Sequence, residues 1–227
     1  MARAESERGE VVLRRRVEER AADVLELRVN GVFVMDTQET GSEIALAAAA
    51  LDLVAEPRDV VVGGLGLGFT TQAVLADQRV EQVVVVEIEE SLIRWMRDGT
   101  IPHGPALLAD KRVRLVDADM ATAVAEAAAT YDLVLLDVDN GPDQLVHDAN
   151  ARLYEHDLLA GTRQLLNPGG ALVVWSAGRA PALQAAMTEV FGSCTEHVHD
   201  VVLQERPEQY LLYASRRDEG GDRSRLR

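Results

Sequence analysis

From residue 58 onward, short apolar runs alternate with longer amphipathic or alanine-rich stretches. The apolar runs predict strands over 59–63, 82–87, 112–117, 132–138 and 170–176. The stretches between and after them predict helices over 69–77, 90–98, 119–129, 155–166 and 180–191. Val60-Val61-Val62 and Val83 to Val86 are apolar without alternation, as strands covered on both faces are. This succession builds an open parallel sheet with helices on both faces. Before residue 58 the pattern changes. Val24 to Val29 and Val32 to Met35 are β-rich runs joined by Asn30-Gly31, the dipeptide suited to a two-residue hairpin. Val11 to Val17 predicts a strand ahead of them, and Ser42 reads as the N-cap of a helix over Glu43 to Val54. Near the C-terminus, Val198 to Gln204 and Gln209 to Ala214, split by Arg206-Pro207, predict a hairpin that closes the sheet edge with one antiparallel strand. The expected fold is α/β: a doubly wound, mostly parallel, seven-stranded Rossmann-like sheet with a small N-terminal β-hairpin unit. The expected division is 1–40 for the β unit, 41–215 for the main domain and 216–227 for a disordered charged tail.

The chemistry gathers where these strands end. Val60-Val61-Val62 runs into Gly63-Gly64-Leu65-Gly66-Leu67-Gly68, a helix follows, and the next strand ends in Glu87. Strand, glycine turn, helix, strand and acid, with about 20 residues from glycines to acid, is the spacing of a nucleoside-binding half-fold. Glycines admit a ligand against bare backbone, and a carboxylate at the strand tip can accept both ribose hydroxyls. The third strand ends in Asp117-Ala118-Asp119; Asp117 is placed either to face an adenine amino group or to cap the next helix, and Asp119 is the better cap. The fourth ends in Asp137-Val138-Asp139-Asn140-Gly141-Pro142-Asp143, whose acids can hold a cationic amine or serve as a general base. Gln38 and Glu39 follow the hairpin, where a polar loop can lie over the ligand.

Composition narrows the partners. The net charge of −15 argues against nucleic acid or an anionic membrane. The single cysteine, Cys194, allows no internal disulfide or zinc cluster, and the five histidines show no metal spacing. No metal is expected, and a cytoplasmic location is. The opening residues have no apolar core of a signal peptide, and Ile44 to Ala55 is too short to span a bilayer. The edges of the β-hairpin unit predict a homodimer.

Taken in order, these motifs resemble the spermidine synthase (polyamine aminopropyltransferase) family, from about Val29 to Ser176. Met35-Asp36-Thr37-Gln38 is similar to a shortened form of its Leu-Asp-Gly-x-x-Gln. Gly63 to Gly68 stands for its glycine loop, Val86-Glu87-Ile88-Glu89 for its Val-Glu-Ile-Asp, and Val116-Asp117-Ala118 for its Gly-Asp-Ala. Tyr131 to Asn140 stands for its Tyr-Asp-x-Ile-x-x-Asp-Ser-Ser-Asp, and Asn167-Pro168-Gly169-Gly170 for its Lys-Pro-x-Gly. The resemblance implies a class I S-adenosylmethionine-dependent methyltransferase fold. It also implies S-adenosylmethionine or decarboxylated S-adenosylmethionine as donor, a small-molecule amine as acceptor, and a dimer. Glu87 would hold the ribose and Asp117 would face the adenine. Gln38, Gly63, Gly64, Gly66, Gly68 and Ala118 would complete the donor site, with Asp137 facing the nucleophile and Asp139 and Asn140 toward the substrate. Three features depart from the family. Its glycine-loop acid is Gly66 here, the last acid of its fourth-strand loop is Asn140, and its Tyr-His pair is replaced within Ala45 to Ala50. The nucleoside half is thus intact and the amine half altered, so weak or absent activity with putrescine is predicted. Aminopropyl transfer leads. A methyltransferase with another acceptor and a non-catalytic nucleoside-binding regulator are the rivals, and a nicotinamide dehydrogenase ranks below them because the loop departs from GxGxxG.

Overall fold

A computed structural model describes residues 1–17, 23–138, 148–203 and 206–219. An antiparallel sheet opens the chain: β1 (Ala2–Ser6), β2 (Gly9–Arg16), β3 (Val24–Val29) and β4 (Val32–Asp36), paired in that order. Asn30 (φ 52°) and Gly31 (φ 78°) form the predicted turn. The N-terminal unit is therefore a four-stranded sheet, larger than the expected hairpin and single strand. The addition is β1, whose Ala-Arg-Ala-Glu-Ser has little β propensity but alternates: Ala2 and Ala4 pack on the core while Arg3 and Glu5 face solvent.

The main body follows as α1 (Gly41–Leu53), β5 (Asp59–Gly63), α2 (Phe69–Leu75), β6 (Gln82–Glu87), α3 (Glu90–Asp98) and α4 (Gly104–Leu108). Next come β7 (Val113–Asp117), α5 (Met120–Glu126), β8 (Tyr131–Leu136), α6 (His156–Leu165) and β9 (Leu166–Ser176). The chain closes with α7 (Pro181–Phe191), β10 (Thr195–Leu203) and β11 (Arg206–Arg216). The sheet order is β10-β11-β9-β8-β5-β6-β7, with β11 antiparallel to both neighbours and β5 to β9 parallel. Pro207 lies inside β11, where only β10 pairs with it, so its missing N–H interrupts no ladder on the β9 side.

Both faces of the sheet are covered, and alternate residues serve alternate faces. Val60, Val62, Leu133 and Leu135 share a core with α1, α3 and the apolar side of the N-terminal sheet, including Val11, Leu13, Leu27 and Val29. Val61, Val134 and Leu136 share the other with α5, α6 and α7. Leu133 and Leu135 are fully buried, where truncation to alanine costs about 2–5 kcal/mol. Asp132 joins three elements by accepting from the N–H groups of Arg58 and Asp59 and from the Asn167 amide.

Several expectations are corrected. The cap of α1 is Thr40, not Ser42; the N–H of Gly41 is taken by the Glu39 carboxylate at 2.8 Å, and the Ser42 hydroxyl instead donates to Glu43. Short helix α4 and a 3-10 helix over Asp148–Tyr154 were not anticipated. The tail was expected to loosen from residue 216. Arg216 instead ends β11, and the Arg217 side chain donates to the carbonyls of Arg163, Gln164 and Leu166. The end of the expected disordered tail falls outside the described residues.

Candidate active site

The strand order reverses at β5, with β6 on one side and β8 on the other, so the crevice lies beyond the carboxyl ends of these strands. A cleft of about 380 Å³ opens there, walled by the glycine loop, the ends of β6 and β8, the start of α1, and residues of the N-terminal sheet, β9 and β11.

Gly64 and Gly66 form its floor. Gly64 has φ 94°, and a Cβ there would stand 2.0 Å from the Asp137 carbonyl oxygen. Gly66 has φ 48°, and a Cβ there would stand 2.7 Å from Met35 Sδ, which also accepts from the Leu67 N–H at 3.2 Å. Only glycine suits residue 64, where the clash is with backbone, and a side chain at 66 would have to displace the Met35 thioether. Gly63 and Gly68 serve differently. They pack against Leu136 and Met120, and against Leu107 and Met96, beneath the loop. His103 Nε2 hydrogen-bonds the Leu67 carbonyl at 2.6 Å and braces the loop from outside.

Glu87 stands at the tip of β6, 6% exposed. One carboxylate oxygen accepts from the Leu65 N–H (2.9 Å) and the other from the Glu89 N–H (2.7 Å). Burial pushes its carboxyl upward, and the backbone donors oppose that. Each oxygen keeps a lone pair for a ligand hydroxyl. Arg8, in the turn between β1 and β2, donates to Glu89 (2.6 Å) and to the Ile88 carbonyl (2.5 Å), so the N-terminal sheet walls this end. No sequence signal marks Arg8 for that place.

Beyond β7 the outcome divides. Ala118 lines the cleft, its N–H donating to the Glu87 carbonyl at 3.0 Å. Asp119 lines it too, capping α5 through the N–H groups of Ala121 and Thr122 and receiving Arg152 at 2.6 Å. Asp117 is exposed and borders a shallow depression with Arg94 and Arg97 of α3. Asp117 does not line the cleft, whereas Ala118 and Asp119 do.

The opposite end of the cleft is acidic. Asp137 follows β8, accepts from Thr70 Oγ1 at 2.6 Å, and has its carboxyl pushed up by burial. Glu43, in the first turn of α1, is 7% exposed and accepts from Ser42 Oγ at 2.7 Å. Burial first, and then the negative charge of Asp137, push its carboxyl up to about 7. Glu39, Trp175 of β9 and Tyr210 of β11 complete this wall, the two rings meeting at 4.9 Å between centroids. Burial, and then Glu43, Glu208, Glu39 and Asp36, push the Tyr210 hydroxyl up to about 12.

Sequence reading missed Glu43, Trp175 and Tyr210. Glu43 sits in a run of helix formers, and the two aromatics sit in ordinary strand patterns. Gln38 is the converse case. Asp36 Oδ1 accepts from the N–H groups of both Gln38 and Glu39, closing a tight turn. That turn leaves Gln38 exposed and bonded to Arg16 at 2.8 Å, outside the cleft, while Glu39 lines it. Asp139, Asn140 and Asp143 lie outside the described residues. Among the described residues, no three histidine, cysteine, aspartate or glutamate side chains are grouped to hold a metal ion, and no helix is long and apolar enough to cross a membrane.

A seven-stranded sheet with β11 reversed, a glycine loop after β5 and an acid at the tip of β6 define the class I methyltransferase fold, here joined to a small antiparallel sheet. Solved structures agree. A spermidine synthase crystallised with the transition-state analogue AdoDATO superimposes with a TM-score of 0.80 at 15% identity, covering 97% of this chain and 73% of that one. Human methyltransferase-like protein 13 superimposes with a TM-score of 0.59 at 18% identity, covering 80% and 84%. The family model described as the spermine/spermidine synthase domain matches residues 39–203, and the chain belongs to that family. Curated relatives include the polyamine aminopropyltransferases of Saccharolobus solfataricus, 26% identical over 76% of this chain, and Aeropyrum pernix, 30% identical over 68%. This chain covers 54% and 52% of those two, so it spans about half the length of the curated relatives it matches.

Proposed function

We propose that this chain transfers an aminopropyl group from decarboxylated S-adenosylmethionine to a small amine. The carrying observation is the continuity of one cleft from Glu87, beside the bare glycine backbone, to the half-buried Asp137 and the buried Glu43. The first end suits a nucleoside and the second suits an ammonium group. Family membership and relatives named polyamine aminopropyltransferase support the same reading.

Gly64 and Gly66 line the cleft with bare backbone beside Glu87, which fits a donor nucleoside. The donor supplies an alkyl carbon activated by its sulfonium. The chain's own tasks are orientation and proton handling. Glu87 presents fixed acceptors to the ribose. Asp137, raised by burial and held by Thr70, is placed to take a proton from the attacking ammonium. The weak or absent activity with putrescine expected from sequence rested on Gly66 and Asn140 in place of two family acids, with only one of Asp137 and Asp139 able to reach the pocket; Glu43 adds a carboxylate to that end.

Methyl transfer is the second reading, favoured by Gly66. Met35 occupies the space a side chain there would need, so the glycine loop offers no acid to a donor amine. Two assays separate the readings. Methylthioadenosine released from decarboxylated S-adenosylmethionine and putrescine supports aminopropyl transfer. S-adenosylhomocysteine formed from S-adenosylmethionine supports methyl transfer. Silence in both, with adenosyl compounds still raising the melting temperature, leaves a nucleoside-binding protein without this chemistry.

A further inference from the structure

Three observations at the α1 end of the cleft converge on one residue. Glu43 and Asp137 face the same cavity, Glu43 buried and Asp137 half-buried. Among the described residues, the side-chain hydrogen-bond partners of these two acids are hydroxyls, those of Ser42 and Thr70. Among the described residues, no arginine, lysine or histidine forms an ion pair with either, although cations pair elsewhere around the cleft, as Arg8 does with Glu89 and Arg152 with Asp119. Two buried like charges repel strongly, and an unpaired buried carboxylate is costly. A cation from outside resolves both conditions. The wall is also aromatic. Trp175 and Tyr210 suit an ammonium and its methylenes.

We infer that Glu43 is an anchor for substrate ammonium: with Asp137 it forms the carboxylate pair that receives a protonated amine, in place of an acid at residue 66. The inference rests on the aminopropyl-transfer reading. Residue 66 is glycine, with Met35 Sδ packed beside it, so the glycine loop carries no acid there and the carboxylate beside the amine comes from the first turn of α1. In the empty cleft the pair carries one proton over part of the neutral range. A bound ammonium, which keeps its own proton there, displaces that proton to solvent. The charged and titratable groups facing Glu43 are Glu39 beside it, Asp137 from β8 and Tyr210 from β11, while His199 of β10 stands near Gly41.

The test is calorimetry of putrescine binding to the full chain saturated with 5′-methylthioadenosine, between pH 6 and 8, in buffers of different ionisation enthalpy. Wild type should bind about tenfold more tightly at the higher pH and release up to about one proton per amine near pH 7. Glu43→Gln should bind putrescine at least ~10-fold more weakly and lose both the pH slope and the proton release. Methylthioadenosine affinity should stay at the wild-type value. Glutamine still offers Ser42 an acceptor, so melting temperature and nucleoside binding report folding, and Glu43→Asp should restore part of the slope. His199→Gln should keep the slope; its loss in that variant alone overturns the inference. Unchanged putrescine binding and slope in Glu43→Gln overturn it while the transfer reading stands. Putrescine bound but never converted overturns the transfer reading alone, and Glu43→Gln still decides the anchor. No putrescine binding by the nucleoside-loaded wild type overturns both.

Discussion

At the glycine-loop end of the cleft, Glu87 gives one carboxylate oxygen to the Leu65 N–H and the other to the Glu89 N–H, at 2.9 and 2.7 Å. At the α1 end, Glu43 and Asp137 each hold one hydroxyl and confront each other. Glu87 and Glu43 are buried and Asp137 is half-buried, yet they differ in what the fold has done for them. The backbone donors around Glu87 offset part of the cost of its burial and fix its orientation, so that end is pre-organised. The Glu43–Asp137 end is left short of positive charge, which makes it selective for a ligand that brings some.

The comparison breaks most sharply at Asp137. Asp137→Asn should lower amine transfer by about 10²–10⁴-fold, the usual worth of a positioned base, while 5′-methylthioadenosine binding stays within about twofold of wild type. Methylthioadenosine release and calorimetry on the same preparation check both halves. Equal losses in the two would mean that the ends are not separable.

Glu87→Ala attacks the other end. It strands the N–H groups of Leu65 and Glu89 and removes the acceptor for ribose, so nucleoside affinity should fall about 100-fold, or about 3 kcal/mol. The melting temperature without ligand should fall as well. Retained affinity in a folded variant would remove Glu87 from the donor site.

The next contrast is in pH dependence. The Glu43 carboxyl, raised from its ordinary 4.5 to about 7 in the fold, binds a proton more tightly folded than unfolded. Its favourable contribution is therefore complete below about 4.5 and is lost as pH rises through 7, on the order of 3 kcal/mol in all. Asp137, also raised by burial, acts in the same direction. Denaturant unfolding from pH 4.5 to 8 should show wild-type stability declining relative to Glu43→Gln. Parallel curves would show that Glu43 is not held neutral by its surroundings.

Trp175→Phe should produce the smallest change. The indole N–H has no partner among the described residues, so removing a buried orphan donor offsets lost packing and stability should stay within about 1 kcal/mol of wild type. Denaturant midpoints measure it. A larger loss would point to an interaction at Nε1 and a more finished wall than described.

Much of the nucleoside end was legible because it is local. A valine run, glycines that admit backbone, and an acid at the next strand tip lie within one strand–helix–strand unit, whose short connections force them together. Even there, which residues line the cleft was not legible: Asp117 is exposed, and Ala118 and Asp119 line it. Gln38 likewise lies outside the cleft, where the turn closed by Asp36 sets Glu39 instead.

By itself the sequence determined the alternation that builds a parallel sheet, the Asn30-Gly31 turn, the glycine loop and the place of Glu87. Each of these depends on residues near one another in the chain, acting through hydrophobic period, allowed φ values and short connections. The tertiary structure alone decided what joins Asp137 at the acidic end. Glu43, Trp175 and Tyr210 come from α1, β9 and β11, distant from Asp137 in the chain and brought to its cavity by the strand order β11-β9-β8 and by α1 packing across that part of the sheet. Burial, not residue type, then set their protonation. A glutamate in an alanine-rich helix has an ordinary carboxyl until the fold removes its water and places a second carboxylate beside it.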